Sequence, residues 1–275
     1  MKFYNISDSF EFIEEAKLVQ ELMMELKELF ENSSNFTLIE KGERDVVTTM
    51  DLKVEEIVIS KIKSKFPNDM ILSEESTNDV KIENRCWVID PIDGTFNYAN
   101  NLILYGVQLA FTKDRETYIG GIYLPALAEC YMGYKGHGAF LNGNRIQVKK
   151  AESISKMMVS LGDFDFRNEE RSKLYYAILN EVRRNVMRTR KFGASCVDFG
   201  FLASGRLSGY VMPYFFPWDV VPGILLVKEA GGYVTHTDGS DLDFESEKGL
   251  VMSNSEEFND FIVSTYKDCS RSSVD

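Results

Sequence analysis

Apolar residues recur on one helical face early in the chain: Phe12, Ile13, Ala16, Val19, Leu22, Met23, Leu26, Leu29 and Phe30. Asp8 with Glu11 three residues on has the form of a capping box, so a long amphipathic helix is expected to open there. A polar stretch from Glu31 to Arg44 follows. Val54, Ile57, Val58, Ile62 and Phe66 then set a second helix, stopped by Pro67-Asn68. Beyond it the pattern shortens to apolar runs between turn signals, which predicts strands at Met70–Leu72, Cys86–Ile89, Tyr105–Thr112, Tyr118–Tyr123 and Cys130–Tyr134. Lys113-Asp114-Arg115-Glu116 predicts a hairpin between two of them, and Gly138–Gly143 a further strand ending in an Asn-Gly turn.

The second half alternates. Strands are expected at Met157–Leu161, Met187–Lys191, Gly209–Met212 and near Val234 and Leu250, with helices at Glu169–Arg184, Ser195–Ser204 and Asp219–Ala230. Residues Ser270–Asp275 read as a loose tail. Without a repeat or a Pro/Gly/Ser-rich linker, 1–275 reads as a single α/β-type domain. Its first half, to about residue 150, is helices plus sheet; its second, about 151–269, is alternating α/β.

Composition narrows the function. With 31 basic and 43 acidic residues the chain carries a net charge of −12, which opposes nucleic-acid or membrane-surface binding. No apolar stretch approaches the roughly 20 residues of a membrane span, and Met1-Lys2-Phe3-Tyr4-Asn5 lacks a signal-peptide core, so a cytoplasmic protein is expected. Cys86, Cys130, Cys196 and Cys269 are scattered, and His137 and His236 are the only histidines. A Cys/His zinc site is not expected, and the thiols read as reduced and structural.

The most informative segment is Trp87-Val88-Ile89-Asp90-Pro91-Ile92-Asp93-Gly94-Thr95, an apolar strand running into two acids three apart, then Gly and Thr. Carboxylates leaving a strand end can converge on one hard cation. Gly94 lets backbone N–H groups approach an anion closely, and a helix starting at Thr95 would aim its positive end at a phosphate. The same residues also suit an ordinary polar turn. Other acids sit comparably: Glu74-Glu75 after a strand, Asp219 at a helix start, and Asp51 just before the second helix. Taken singly these read as a solvated pair and as helix caps.

Taken together, with Leu72-Ser73-Glu74-Glu75-Ser76, Gly136-His137-Gly138-Ala139-Phe140-Leu141-Asn142-Gly143, Trp218-Asp219 and Glu229-Ala230-Gly231-Gly232, they resemble the inositol monophosphatase family of metal-dependent phosphatases over nearly the whole chain. The resemblance implies a layered αβαβα sandwich, a homodimer, lithium inhibition, and magnesium-dependent hydrolysis of a small phosphorylated polyol or sugar. It implies one magnesium on Glu74, Asp90 and the Ile92 carbonyl, a second on Asp90, Asp93 and Asp219, and a weaker third near Glu74. It assigns water activation to Glu74 and to Thr95 bonded to Asp51. Substrate contacts fall to Asp93, Gly94, Thr95, Gly193, Ala194, Ser195 and Asp219.

The Gly193-Ala194-Ser195 turn resembles the family's Gly-Ser/Thr-Ala turn with its last two residues exchanged; Ser195 also reads as a simple N-cap. His137 reads as a loop residue, and Tyr214-Phe215-Phe216 as core packing or a pocket wall. Where inositol-selective members place a hydroxyl-binding Glu, this chain has Met212, a poor acceptor, so inositol specificity is not implied. Fructose 1,6-bisphosphate, histidinol phosphate, NADP and 3′-phosphoadenosine 5′-phosphate are the alternative substrates. Arg190 reads as a partner for a second phosphate or as a surface cation. A different class of function, association with transcription machinery, is known among bacterial relatives.

Overall fold

The computed structural model describes residues 1–33, 36–42, 45–77, 79, 81–163, 168–244 and 248–272. Helix α1 (Ile13–Asn32) buries Ala16, Leu18, Val19, Leu22, Met23 and Leu26, the stripe its periodicity predicts. It starts at Ile13 rather than at Asp8. Phe10 and Phe12 are both buried, Phe10 edge-on to Tyr134 and Phe12 against Phe111, and the turns Phe10 N–H to Ser7 and Ile13 N–H to Phe10 hold this stretch out of the helix. The expected capping box does not form; Phe12 is the N-cap, without a side-chain bond.

The polar stretch before residue 45 holds part of a hairpin, β1 (Leu38–Gly42) with β2 (Asp45–Thr48). Leu38 and Ile39 stay exposed, so the ribbon carries no alternation of buried and polar positions to read. Helix α2 (Thr49–Lys65) follows directly.

A seven-stranded sheet then runs in spatial order β3 (Met70–Ser73), β4 (Arg85–Asp93), β5 (Gly106–Lys113), β6 (Glu116–Leu124), β7 (Glu129–Tyr134), β8 (Gly138–Leu141) and β9 (Asn144–Ile146), with the one-turn helix α3 (Thr95–Ala99) between β4 and β5. Only the β3–β4 pair is parallel. Both expected tight turns form, with positive φ at Asp114 and Arg115 and at Asn142 and Gly143, the conformation of primed hairpin turns.

The rest of the chain builds β10 (Met158–Leu161), α4 (Glu169–Asn185), β11 (Arg188–Arg190), α5 (Ser195–Ala203), β12 (Gly209–Met212), α6 (Pro217–Glu229), β13 (Tyr233–His236), β14 (Leu250–Ser253) and α7 (Glu256–Ser272). The second sheet has the order β11-β10-β12-β14-β13, parallel on the β10 side and antiparallel around β14. Helix α7 replaces the expected loose tail at Ser270–Ser272; residues 273–275 lie outside the described residues.

Four buried apolar clusters lie between five layers. Helices α1 and α2 pack on one face of the large sheet, α5 and α6 fill the space between the two sheets, and α4 and α7 cover the far face of the small one. This is an αβαβα sandwich. The central layer is closely packed: a Cβ on Gly223 of α6 would lie 1.9 Å from the Phe199 ring of α5. Gly223→Ala is therefore expected to cost about 1–3 kcal/mol, read as a lowered urea midpoint. No helix of the described residues is long and apolar enough to cross a membrane.

Candidate active site

Residues three apart on a regular strand point to opposite faces. In β4 the pairing slips: Asp90 lies opposite Gln108 but Asp93 opposite Gly106, so three steps along β4 match two along β5. This bulge brings the two carboxylates to one side, and Pro91, having no N–H for the ladder, sits inside it. Gly94 then turns the chain with φ +85°; a Cβ there would lie 2.8 Å from the Ala194 Cβ. Asn97 donates to Leu104 O (2.7 Å) and Phe192 O (2.8 Å), tying α3 to the Gly193–Ser195 turn. Helix α3 has five residues, so the helix-end field expected at Thr95 shrinks to that of a single turn.

Asp93 works as a cap for a helix other than its own. The N-cap position of α5 is Ala194, which has no acceptor, and Asp93 Oδ2 accepts from the Cys196 N–H and from Ser195 Oγ (2.8 Å). Ser195 is thus the first helical residue and not the N-cap. Its hydroxyl also lies 2.8 Å from Asp219 O. Asp219, in the first turn of α6, accepts from Phe216 N–H (2.8 Å). Asp51 lies in the first turn of α2 rather than before it: Oδ2 accepts from Thr48 N–H (2.9 Å) and the Thr48 hydroxyl, and Oδ1 lies 3.1 Å from Thr95 Oγ1. Thr95 Oγ1 is also 2.8 Å from Ile92 O, so its one proton is shared between the two acceptors.

Glu74, after β3, is hydrogen-bonded to Asp90. Burial pushes the Glu74 carboxyl well above its usual range, and the charges of Asp219 and Glu75 add to this while Lys41 opposes it. Asp90 is buried and also raised well above the usual range, first by burial and then by Glu74, Asp93 and Asp219. Burial raises Asp93 and Asp51 as well, against the hydrogen bonds they accept. Glu75 is not a solvated surface residue; its side chain is 3% exposed and pairs with Lys41 of β1.

Glu74, Asp90, Asp93 and Asp219, drawn from three segments, therefore share one field, which raises the cost of ionising Glu74 and Asp90. Among the described residues, no three Asp, Glu, His or Cys side chains are already gathered around one point as an ion would gather them. The donor set nonetheless fits a hard divalent cation. Asp90 Oδ1 is buried without a hydrogen-bond partner, and the groups around it that would serve as ligands are carboxyls, which offer oxygen.

Next to the acids lies a cleft of about 200 Å³, bordered by Asp93, Asp219, Ser195, Met212, Tyr214 and Phe216 among others. Gly193 and Ala194 line it too, so that turn belongs to the cleft. Phe215 is in the core, stacked on His236, so the aromatic run divides between packing and wall. His137 sits in a turn after β7, and Arg190 is exposed with its guanidinium on Thr189 O (2.8 Å); neither lines the cleft.

Two residues of the site are absent from the sequence-based expectations. Gln108 is fully buried and its Nε2 lies near Asp93 Oδ2 (3.1 Å), Ser195 Oγ (2.9 Å) and Asp219 O (2.9 Å). The signal was a lone amide inside the apolar run Val107-Gln108-Leu109-Ala110-Phe111. Gln108→Leu should cost about 1–3 kcal/mol in urea denaturation, because two buried amide hydrogens shared among these three acceptors are lost. Asp198, three residues after Ser195 among apolar neighbours, also lines the cleft.

A sequence model of the inositol monophosphatase family matches residues 9–271. The chain is 36% identical over 210 residues to an Aquifex aeolicus protein named fructose-1,6-bisphosphatase/inositol-1-monophosphatase, covering 76% of this chain and 79% of that one. It is 31% identical over 204 residues to Nus factor SuhB of Escherichia coli, covering 73% and 75%. Among solved structures it superposes on the Thermotoga maritima IMPase with a TM-score of 0.78 at 28% identity, covering 93% of this chain and 96% of that one. A shared fold, a match along nearly its full length and relatives named as phosphatases identify the chain as a member of the inositol monophosphatase family, a phosphomonoester hydrolase.

Proposed function

We propose that the protein hydrolyses the phosphate monoester of a small polyol or sugar in a magnesium-dependent reaction. The observation that carries this reading is the unpartnered, buried Oδ1 of Asp90 among carboxyls whose ionisation the fold disfavours. Glu74, Asp90, the Ile92 carbonyl, Asp93 and Asp219 would hold two magnesium ions, with a weaker third near Glu74. Bound there, the metal supplies Lewis acidity that acidifies a water and offsets charge on the leaving ester oxygen.

The chain's own groups do the positioning. Thr95, held between Asp51 and Ile92 O, orients the attacking water together with Glu74. Backbone N–H groups at Gly94 and Thr95 receive phosphate oxygens, and Gly193, Ala194 and Ser195 contact the alcohol part beside Asp93 and Asp219. No side chain is needed as a nucleophile. Lithium inhibition, a homodimer and a cytoplasmic location accompany this reading.

Release of phosphate from inositol 1-phosphate, fructose 1,6-bisphosphate, histidinol phosphate, NADP and 3′-phosphoadenosine 5′-phosphate, with magnesium and with chelator, tests it. Turnover of at least one ester that chelator abolishes is the expected result; chelator-resistant turnover or silence across the panel would count against it. The relatives named Nus factor SuhB support a second reading, a protein partner in transcription. The full acid set favours catalysis, since an interaction surface has no use for buried carboxyls.

A further inference from the structure

One buried acid of the cleft has no task in the hydrolysis itself. Asp198 is 2% exposed and lines the cleft one helical turn beyond Ser195 on the same face of α5, about 4.5 Å further along its axis. The Ser160 hydroxyl lies beside the carboxyl and shares its proton with Arg190 O (3.5 Å), while Asp198 Oδ1 is buried with no partner. The hydroxyl of Tyr175 is already engaged with Gly162 O (2.9 Å) and Val211 O (3.2 Å).

The surroundings indicate what would satisfy it. Among the described residues lining the cleft there is no Lys, Arg or His. Lys191 is paired with Asp163 at the mouth (2.7 Å), and Arg171 stacks over Tyr214 while lining the neighbouring cavity. Met212, Tyr214 and Phe216, a thioether and two rings, line the same cleft. A polyol would find the Ser195, Tyr210 and Tyr214 hydroxyls here, but the cleft is lined besides by the carboxyls of Asp163, Asp198 and Asp219 with no cation among them, so a positively charged substituent is matched better than a neutral hydroxyl. An ammonium only donates: it suits an unpartnered carboxylate oxygen and also the π faces beside it.

We propose that Asp198 selects the alcohol half of the substrate and that the favoured ester carries a protonated amine on that half. The inference rests on the reading of the cleft as the phosphomonoester site, and it makes Asp198 a specificity-determining residue with no part in cleaving the ester.

A matched pair of probes tests it: 2-amino-3-hydroxypropyl phosphate and glycerol 3-phosphate, which differ only in an ammonium against a hydroxyl. With magnesium present, the wild-type kcat/KM should favour the amine by about ten- to hundredfold, the range of a hydrogen bond to a charged group. In Asp198→Asn that preference should fall to near parity, mostly through KM. Since the readout is a ratio, a loss of folded protein scales both rates and cancels. Equal wild-type values, or a preference for glycerol 3-phosphate, overturns the proposal without any variant, as does an Asp198→Asn protein that keeps the preference. If neither ester, nor any member of the wider panel, is hydrolysed with magnesium, the phosphatase reading itself fails and this inference with it; hydrolysis without amine preference sinks the inference alone.

Discussion

Asp90→Asn is expected to lower kcat by about a thousandfold or more while the protein stays folded, the loss that several kcal/mol of metal-derived transition-state stabilisation implies. Asp90 is the acid on which the charges of Glu74, Asp93 and Asp219 all bear, and its Oδ1 has no protein partner to lose. An amide keeps the shape and removes the charge. In metal-free protein the substitution relieves repulsion, so its melting temperature should equal or exceed that of the wild type, by about 2–4 °C for each kcal/mol relieved. Paired kcat and melting measurements check both halves. A variant that is inactive only because it is unfolded would not support the role given to Asp90, nor would one that keeps much of its turnover.

Millimolar magnesium is expected to raise the melting temperature markedly and chelator to reverse it. A ligand at about a hundred times its dissociation constant adds roughly 2.7 kcal/mol, which at this chain length is about 5–10 °C. The pH dependence carries a sign. Burial and neighbouring charge raise the folded-state values of Glu74 and Asp90, and burial raises that of Asp93. Their contribution without metal is therefore fully present below the ordinary carboxylate range and is lost as pH rises through the raised values. Metal-free protein should lose stability from about pH 4 upward, whereas added magnesium, which needs ionised ligands, should stabilise more as pH rises. Melting curves at several pH values, with and without magnesium, show whether the two slopes diverge; parallel slopes would be contrary to the account.

How much of this was legible in the sequence depended on whether the signal was local. The stripes of α1 and α2, the two tight hairpins and the β4 run into Asp90 and Asp93 are local patterns, and each element forms, although α1 starts later than its cap signal and β4 continues past Ile89 to Asp93. Where neighbours decide, the reading fell short. The start of α1 is set by Phe10 and Phe12 packing on the large sheet, which no cap signal encodes. In the β1–β2 pair Leu38 and Ile39 are both exposed and Val47 and Thr48 both buried, so neither strand shows alternation. Helix α7 had its signal, Phe258, Phe261, Ile262, Thr265 and Tyr266 at helical spacing, yet no helix was expected there, and it runs on through Ser270–Ser272, where a loose tail was expected.

The same holds for the site. Asp51 and Asp219 do cap their helices, and Asp93 caps α5 from outside, so the plain reading of acids at helix starts and the functional one describe the same bonds. Capping fixes each carboxyl's position, and the bulge at Pro91 and Ile92 turns Asp90 and Asp93 to a common side. Gln108 joins these caps by reaching three of their acceptors from β5, a link visible only once the strands are paired.

The central claim, that the buried acids around Asp90 are a metal centre, is tested most directly by anomalous diffraction from crystals soaked in manganese. The account predicts peaks about 2.1 Å from a carboxylate oxygen of Asp90, with Glu74, Asp93 and Asp219 as neighbouring ligands. Manganese bound only elsewhere on the protein, with Asp90 still hydrogen-bonded to Glu74, would contradict it.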